Sequence, residues 1–256
     1  MPLLHSRIIG EGTPLVILHG FLGMSDNWKT LGNRYAAEGY QVHLVDQRNH
    51  GRSFHSEDFD YTYLSEDLLG YCDHYSLDNI DLLGHSMGGK TAMQFATEHP
   101  QRMLKLLVAD ISPKYYPPHH QTIVDALAKL DFSVLTSRKE VDNALAEDLP
   151  EMGIRQFLLK NLYWKEPKKL ALRCHIDVLK NRMEEIGDHI DTTAHFDGPT
   201  LFLRGDLSEY IQPADIPEIQ RHFPLAQVET IANAGHWLHA ENPNQFFEKS
   251  LHFLNS

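Results

Sequence analysis

Seven short apolar runs punctuate the chain: Leu3 to Ile9, Leu15 to Leu18, Val42 to Val45, Ile80 to Leu83, Leu104 to Ala109, Thr200 to Leu203 and Gln227 to Ile231. Runs that are nearly continuous, rather than alternating with polar residues, suit strands buried on both faces. The helix-like stretches between most of them supply the crossovers that parallel pairing needs. The pattern predicts an α/β fold with a doubly wound, mostly parallel sheet. The first two runs are joined by Gly10-Glu11-Gly12-Thr13, a short glycine-rich link suited to an antiparallel hairpin, which would be the sheet's exception.

The alternation breaks at 113–195, where helical patterns dominate and no strand is expected. Ile123, Leu127 and Leu130 share one helical face, Ser137-Arg138-Lys139-Glu140 has the form of a capping box, and Ile154 to Trp164 reads as a further apolar helix. Pro113, Pro117 and Pro118 mark the start of this segment. It reads as a helical cap inserted into a core formed by 1–112 and 196–256. Its place after a strand end favours a lid over an addition that merely buries core surface.

A chain of 256 residues accommodates one α/β core plus such an insertion. With 35 acidic against 23 basic residues the net charge is -12, which argues against nucleic acid or an anionic membrane surface as the main partner. The amino terminus lacks a cationic stretch followed by a long apolar one, and no window approaches the length of a membrane span, so neither export nor stable membrane insertion is expected and the default location is the cytoplasm. Cys72 and Cys174 have no Cys-x-x-Cys partner and read as reduced structural thiols. Seventeen histidines, including the pair His119-His120, raise the question of a metal. They are scattered and lack a His-Glu-x-x-His helix, so surface and packing roles account for them and no metal is expected.

The chemistry concentrates at Gly84-His85-Ser86-Met87-Gly88, which follows the run Ile80 to Leu83 and precedes a helical pattern of Ala92, Phe95 and Ala96 stopped by His99-Pro100. Small residues on both sides let the chain turn sharply from strand to helix, lifting a serine hydroxyl above the sheet and aiming the next backbone N–H at the reaction centre. Ser86 is therefore the candidate nucleophile, against the plainer reading of a turn serine. A serine nucleophile needs a base within hydrogen-bond reach and a carboxylate to orient that base. His236, in Ala234-Gly235-His236-Trp237 after the last expected strand, is the candidate base, with His239 as an alternative. His85 is better suited to supporting the elbow. Two aspartates follow strands between Ser86 and His236: Asp110 after Leu106 to Ala109, and Asp206 after Leu201 to Gly205. Either could hold the imidazole.

Leu18-His19-Gly20-Phe21, Asp46 to Ser53, Gly84 to Lys90 and Ala234-Gly235-His236 together resemble the motifs of α/β-hydrolases, and the resemblance spans almost the whole chain. Arg48-Asn49-His50-Gly51 with Met87 to Lys90 and Asp110-Ile111-Ser112-Pro113 more narrowly resembles small bacterial carboxylesterases of the YbfF type. The resemblance implies an α/β-hydrolase fold and places half of an oxyanion hole after the second strand, so the N–H groups of Phe21 and Met87 are the expected oxyanion donors. It usually places the acid three residues after the glycine ending the penultimate strand, where this chain has Ser208. The Asp-Ile-Ser-Pro stretch resembles relatives that carry the acid one strand earlier, which favours Asp110 over Asp206. Asp46 and His50 to Ser53 read as turn chemistry.

The implied activity is hydrolysis of a small-molecule acyl ester or thioester, with no metal or organic cofactor required. Phe21, Met87, Phe157, Leu158, Trp164 and Trp237 are candidate apolar wall of the acyl pocket. Haloalkane and epoxide hydrolases are disfavoured because those relatives need an aspartate where Ser86 stands. A carbon–carbon hydrolase on the same residues, or a receptor that keeps the pocket without turnover, are the alternatives.

Overall fold

A computed structural model describes residues 2–256 of the chain. In chain order its elements are β1 (Ser6–Ile9), β2 (Thr13–Leu18), α1 (Lys29–Ala37), β3 (Tyr40–Val45), α2 (Tyr61–His74), β4 (Ile80–His85), α3 (Met87–Glu98), β5 (Met103–Ala109), α4 (Gln121–Ala128), α5 (Arg138–Ala146) and α6 (Met152–Leu159). There follow β6 (Leu162–Glu166), β7 (Lys169–Leu172), α7 (Ile176–Asn181), α8 (Met183–Gly187), β8 (Thr200–Gly205), α9 (Ile216–His222), β9 (Ala226–Ile231), α10 (Leu238–Glu241) and α11 (Pro243–Leu254). Seven strands form one sheet in the order β1-β3-β2-β4-β5-β8-β9, parallel except for β1.

Neighbouring residues of each central strand go to opposite faces. Val16, Leu18, Leu82, Leu106, Val108 and Phe202 pack with Tyr71, Ala92, Phe95 and Ile219 from α2, α3 and α9. Leu15, Ile17, Leu83, Leu107, Leu201 and Leu203 pack with Tyr35 and Phe246 from α1 and α11. Each such side chain contributes roughly 1.5–3 kcal/mol on leaving water, which is why these strands carry no polar face.

Two expectations are corrected. The antiparallel exception exists, but β1 pairs with β3 and not with β2, so the first link is no hairpin. A side chain at Gly12 would stand 2.0 Å from the Gly39 carbonyl oxygen and one at Gly10 would stand 2.6 Å from that of Tyr40. The link is thus pressed against the turn into β3, which carries β1 past β2 to the outer edge. The 113–195 segment likewise holds a two-stranded antiparallel ladder, β6–β7, where helices alone were expected. The apolar stretch from Ile154 leaves the helix after Leu159, and beyond Asn161 it runs outward as a strand, from the buried Leu162 to Trp164, which is 55% exposed. Pro167 and Lys168, with φ 64°, then turn the chain. Trp164 consequently lies out on the hairpin and borders neither of the two spaces at Ser86. The capping box is formed: Ser137 Oγ accepts from the Glu140 N–H at 3.2 Å, and Glu140 Oε2 accepts from the Ser137 N–H at 2.9 Å.

Both ends of the 113–195 segment are tied to α3 by one side chain. The buried Lys90 amine donates to the carbonyls of Pro113 at 3.4 Å and Lys114 at 2.5 Å, and to that of Asp188. Burial pushes its pKa down to about 7. The cysteines are buried and unpaired, and no helix among the described residues is long and apolar enough to cross a membrane.

The start of α3 meets the end of β2 without an intervening side chain. A Cβ at Gly88 would lie 2.5 Å from the Leu18 carbonyl oxygen and 2.6 Å from that of His19. Both obstacles are backbone, so the clash cannot be relieved by a rotamer change. Gly88→Ala is expected to destabilise the fold by about 3 kcal/mol and to lower the melting temperature by roughly 6–10 °C, measured by thermal and urea unfolding; an unchanged melt would show that the elbow tolerates a side chain.

Candidate active site

Ser86 sits between β4 and α3 with φ 54° and ψ -120°, a conformation that L-residues adopt only when their surroundings impose it. The surroundings here are glycines: a Cβ at Gly84 would stand 2.1 Å from the Gly88 carbonyl oxygen. The Ser86 N–H donates to the Ala109 carbonyl at 3.0 Å, fixing the elbow to the end of β5. The expected strand, turn and helix are present in that order.

The loop after β9 carries His236 back over this elbow. Its Nε2 lies 3.0 Å from Ser86 Oγ and its Nδ1 2.8 Å from Asp110 Oδ2. A carboxylate only accepts, so Nδ1 carries the proton and Nε2 offers its lone pair to the serine hydroxyl. Asp110 ends β5 with φ 53° and is fully buried. Its Oδ1 accepts from the Gly205 N–H at 3.1 Å, and its Oδ2 also accepts from the Ser208 hydroxyl. Burial raises the Asp110 carboxyl to about 6, opposed by the hydrogen bonds from Ser208 and Gly205. Burial, followed by the nearby His119 ring, holds His236 well below the ordinary imidazole value, leaving it neutral at pH 7.

Asp206 stands apart from this chain of contacts. It is exposed, and its two oxygens accept from the N–H groups of Asn233 and Ala234 at 2.9 and 3.0 Å, shaping the loop that leads to His236. His239 stacks on Trp28, with ring centroids 4.3 Å apart, and is turned to packing. His85 Nε2 donates to the His236 carbonyl at 2.8 Å, so the histidine before the serine supports the histidine loop.

Met87 is the first residue of α3, where a backbone N–H has no partner within the helix. Phe21 lies in the turn Gly20–Gly23, closed by the Gly23 N–H on the Gly20 carbonyl at 2.9 Å. This turn runs close to the serine, since a Cβ at Gly20 would be 3.2 Å from Ser86 Cβ. His19 fastens it: the Gln47 N–H donates to Nε2 at 3.0 Å, so Nδ1 carries the proton and donates to the Gly20 carbonyl at 2.8 Å. Gln47 in turn donates to the His19 carbonyl and accepts from Thr91, both at 2.8 Å. Asp46 holds the following turn by accepting from the N–H groups of Ser25 and Arg52 at 2.6 and 2.9 Å, the structural role read from the sequence.

A cavity of about 510 Å³ opens at Ser86, bordered by Phe21, Phe157, Leu158, His236 and Trp237. Met87 borders a second, much smaller space that also reaches Ser86, with Tyr116, His120 and Tyr210 in its wall. Among the described residues no group of three or more His, Cys, Asp or Glu is placed to hold a metal ion.

Three contributors escaped the reading of the sequence. Ser208 was singled out only as a departure from the usual acid, yet its hydroxyl touches the carboxylate that takes that place. Tyr210 stacks on His236 with centroids 3.8 Å apart and planes at 15°. Asn161, from the 113–195 segment, donates to the Leu22 carbonyl at 2.8 Å within the Phe21 turn. The last two leave no local signal, because only the tertiary fold brings them near the serine.

The model of the alpha/beta hydrolase fold family matches residues 13–243. The mouse (Mus musculus) sn-1-specific diacylglycerol lipase ABHD11 is 37% identical, over 99% of this chain and 85% of its own length. Esterase YbfF of Escherichia coli strain K12 is 32% identical, over 96% of this chain and 94% of its own. The solved structure of a marine microorganism esterase superposes with a TM-score of 0.95 at 41% identity, covering 99% of this chain and all of its own.

If Ser86 is the nucleophile and His236 its base, the imidazolium formed when His236 takes the serine proton needs a charged Asp110. The raised Asp110 value places the loss of charge near pH 6 as pH falls. Labelling of Ser86 by an alkyl phosphonate is therefore expected to be level from about pH 7 to 8.5 and to drop by about tenfold per unit well below pH 6, read by intact-mass spectrometry. A rate still level at pH 4.5 would contradict the coupling.

Proposed function

Because the chain belongs to the α/β-hydrolase fold family and is an esterase-type serine hydrolase, we propose that it cleaves carboxylic esters through an acyl-enzyme on Ser86, with His236 as base and acid and Asp110 as its orienting carboxylate. The observation that carries this reading is the hydrogen-bonded line Ser86 Oγ, His236 Nε2, His236 Nδ1, Asp110 Oδ2, at 3.0 and 2.8 Å, opening on a cavity of about 510 Å³.

His236 takes the hydroxyl proton as Ser86 Oγ bonds to the ester carbonyl carbon. The carbonyl oxygen becomes an oxyanion received by the N–H groups of Phe21 and Met87, donors fixed before the reaction begins. Each such donor contributes about 3 kcal/mol to the transition state. The carbon–oxygen bond to the alcohol then breaks as His236 returns the proton to the leaving oxygen. Water, deprotonated by the same ring, attacks the acyl-enzyme and releases the acid. Ser208 and the Gly205 N–H steady Asp110 throughout, and Tyr210 keeps the imidazole plane from turning. Acyl thioesters fit the same steps, with a thiol as leaving group.

Ser86→Ala is expected to lower kcat on a nitrophenyl ester by at least about 10,000-fold and to abolish phosphonate labelling. Asp110→Asn should cost about 10,000-fold, because an amide favours the wrong imidazole tautomer. Asp206→Asn should stay within about tenfold, since only two loop hydrogen bonds weaken. Steady-state kinetics with melting controls check all three. Undiminished turnover by Ser86→Ala, or a larger loss at Asp206 than at Asp110, would refute the assignment.

A further inference from the structure

Resting on the ester-hydrolase reading above, we propose that His119 and Tyr210 act on the reaction as a pair: His119 accepts the Tyr210 hydroxyl proton in a hydrogen bond, and the Tyr210 ring, made richer in electrons, holds the positive charge that His236 gains when it deprotonates Ser86. The Tyr210 and His236 rings lie 3.8 Å apart with planes at 15°, the shortest ring separation among the described residues. Two neutral aromatic rings prefer offset or edge contacts with centroids about 4.5–7 Å apart. A cation over the face of a ring favours the closer arrangement. The stack thus suits the imidazolium better than the resting imidazole, and only such a difference lowers a barrier.

The sense of the hydrogen bond follows from its neighbours. His119 Nδ1 faces the Pro117 carbonyl at 2.9 Å, and a carbonyl only accepts, so Nδ1 carries a proton. In the neutral ring Nε2 then offers a lone pair, and Tyr210 Oη donates to it. Burial, followed by the Asp110 charge, raises the Tyr210 pKa, so the hydroxyl keeps its proton and remains the donor. A donating hydroxyl is polarised by its acceptor, which pushes electron density back into the phenol ring. His119 is exposed and lies in the 113–195 segment, whereas Tyr210 follows β8 in the core. The segment therefore reaches the catalytic imidazole through one tyrosine.

Tyr210 is pinned where it stacks. Its N–H donates to Ser208 Oγ at 3.3 Å, the same hydroxyl that donates to Asp110, and its carbonyl accepts from Tyr116 Oη. That Tyr116 oxygen in turn accepts from the Ser112 N–H at 2.9 Å. One serine thus sets both the carboxylate and the ring that share the charge of His236. The other titratable groups facing His236 are the rings of His85, with centroids 4.8 Å apart, His120 and His239. Burial pushes His85 and His120 down to about 3 and His239 well below the ordinary imidazole value, so all three stay neutral. Among the described residues Asp110 is the ring's one ion-pair partner, placed at its Nδ1 edge, and Tyr210 supplies support across the face.

Substitutions in the purified full chain, with melting controls, test the pair. Tyr210→Leu keeps bulk without a ring face and is expected to lower kcat on nitrophenyl acetate at pH 8 by about tenfold, with KM within about threefold of wild type. His119→Ala and Tyr210→Phe should each cost about threefold, and the double variant no more than either, because both remove the same bond. His119→Gln, whose amide oxygen can stand in for Nε2, should return to within about twofold of wild type. In the phosphonate adduct of Ser86 the phosphoryl oxygens stand in for the oxyanion and favour the imidazolium. The pH at which the His236 Nδ1–H resonance reports loss of the Nε2 proton, read by NMR, should drop by about one unit in Tyr210→Leu and about half a unit in His119→Ala, the equivalents of about tenfold and threefold. A merely structural role would leave that titration in place. An unmoved titration in Tyr210→Leu, undiminished kcat in His119→Ala, or additive losses in the double variant would overturn the proposal. No hydrolysis and no phosphonate on Ser86 in the wild-type chain would instead refute the ester-hydrolase reading beneath it.

Discussion

The site is organised around one unfavourable act, the burial of the Asp110 carboxylate at the end of β5. An ionised carboxylate out of water is tolerated only when hydrogen bonds and a partner replace its hydration. Each replacement fixes a different part of the molecule. The Gly205 N–H sets the end of β8, the Ser208 hydroxyl sets the loop beyond it, and His236 Nδ1 sets the loop after β9. Three segments distant in sequence thus converge because one charge needs them. The same burial keeps the carboxyl above its ordinary value, close enough to neutrality that the hydrogen bonds decide whether it is charged.

Strain accompanies this convergence. Ser86, Asp110 and Leu22 all have positive φ, at 54°, 53° and 58°. Such residues cost of order 1–3 kcal/mol each, so each requires an anchor. Ser86 has its bond to Ala109, Asp110 donates its N–H to the Leu203 carbonyl at 2.8 Å, and Leu22 has the bond from Asn161 to its own carbonyl. The sheet's carboxyl edge is where such anchors are dense, because parallel strands end there together and their last carbonyls and N–H groups lie within reach of one another.

What the sequence made legible follows from the same physics. The five inner strands of the main sheet could be read because burial on both faces removes most polar residues from them, whereas the half-exposed edge strands β1 and β9 were legible only as short runs between turns and helices. The pairing of Ser86 with His236 was anticipated because a strand-to-helix elbow needs glycines and a histidine that reaches over it must come from a loop at the same sheet edge. The choice between Asp110 and Asp206 rested on resemblance, since both are aspartates following apolar strands. Depth separates them: Asp110 follows β5 directly and is fully buried, whereas Asp206 lies just beyond Gly205 and faces solvent. The partner of β1 was misread because a glycine-rich link announces a turn without saying over what it folds. The β6–β7 ladder was missed because a short apolar run beside a helix has no periodicity of its own.

The 113–195 segment is bound into the catalytic machinery more closely than an added layer would be. Phe21 and Met87, the proposed oxyanion residues, belong to the same hydrophobic cluster as Val124, Leu158, Leu162 and Met183 from that segment. Asn161 adds a polar tie, donating to the Leu22 carbonyl while its Oδ1 accepts from the Cys174 thiol at 3.0 Å. A displacement at Asn161 would therefore unload the strained turn that carries the Phe21 N–H. The α6 helix is linked to that turn, because the Asn161 N–H donates to the Leu158 carbonyl at 3.0 Å. The α6 wall of the large cavity and the turn that carries the Phe21 N–H are therefore joined through one side chain, Asn161, two residues beyond the end of α6.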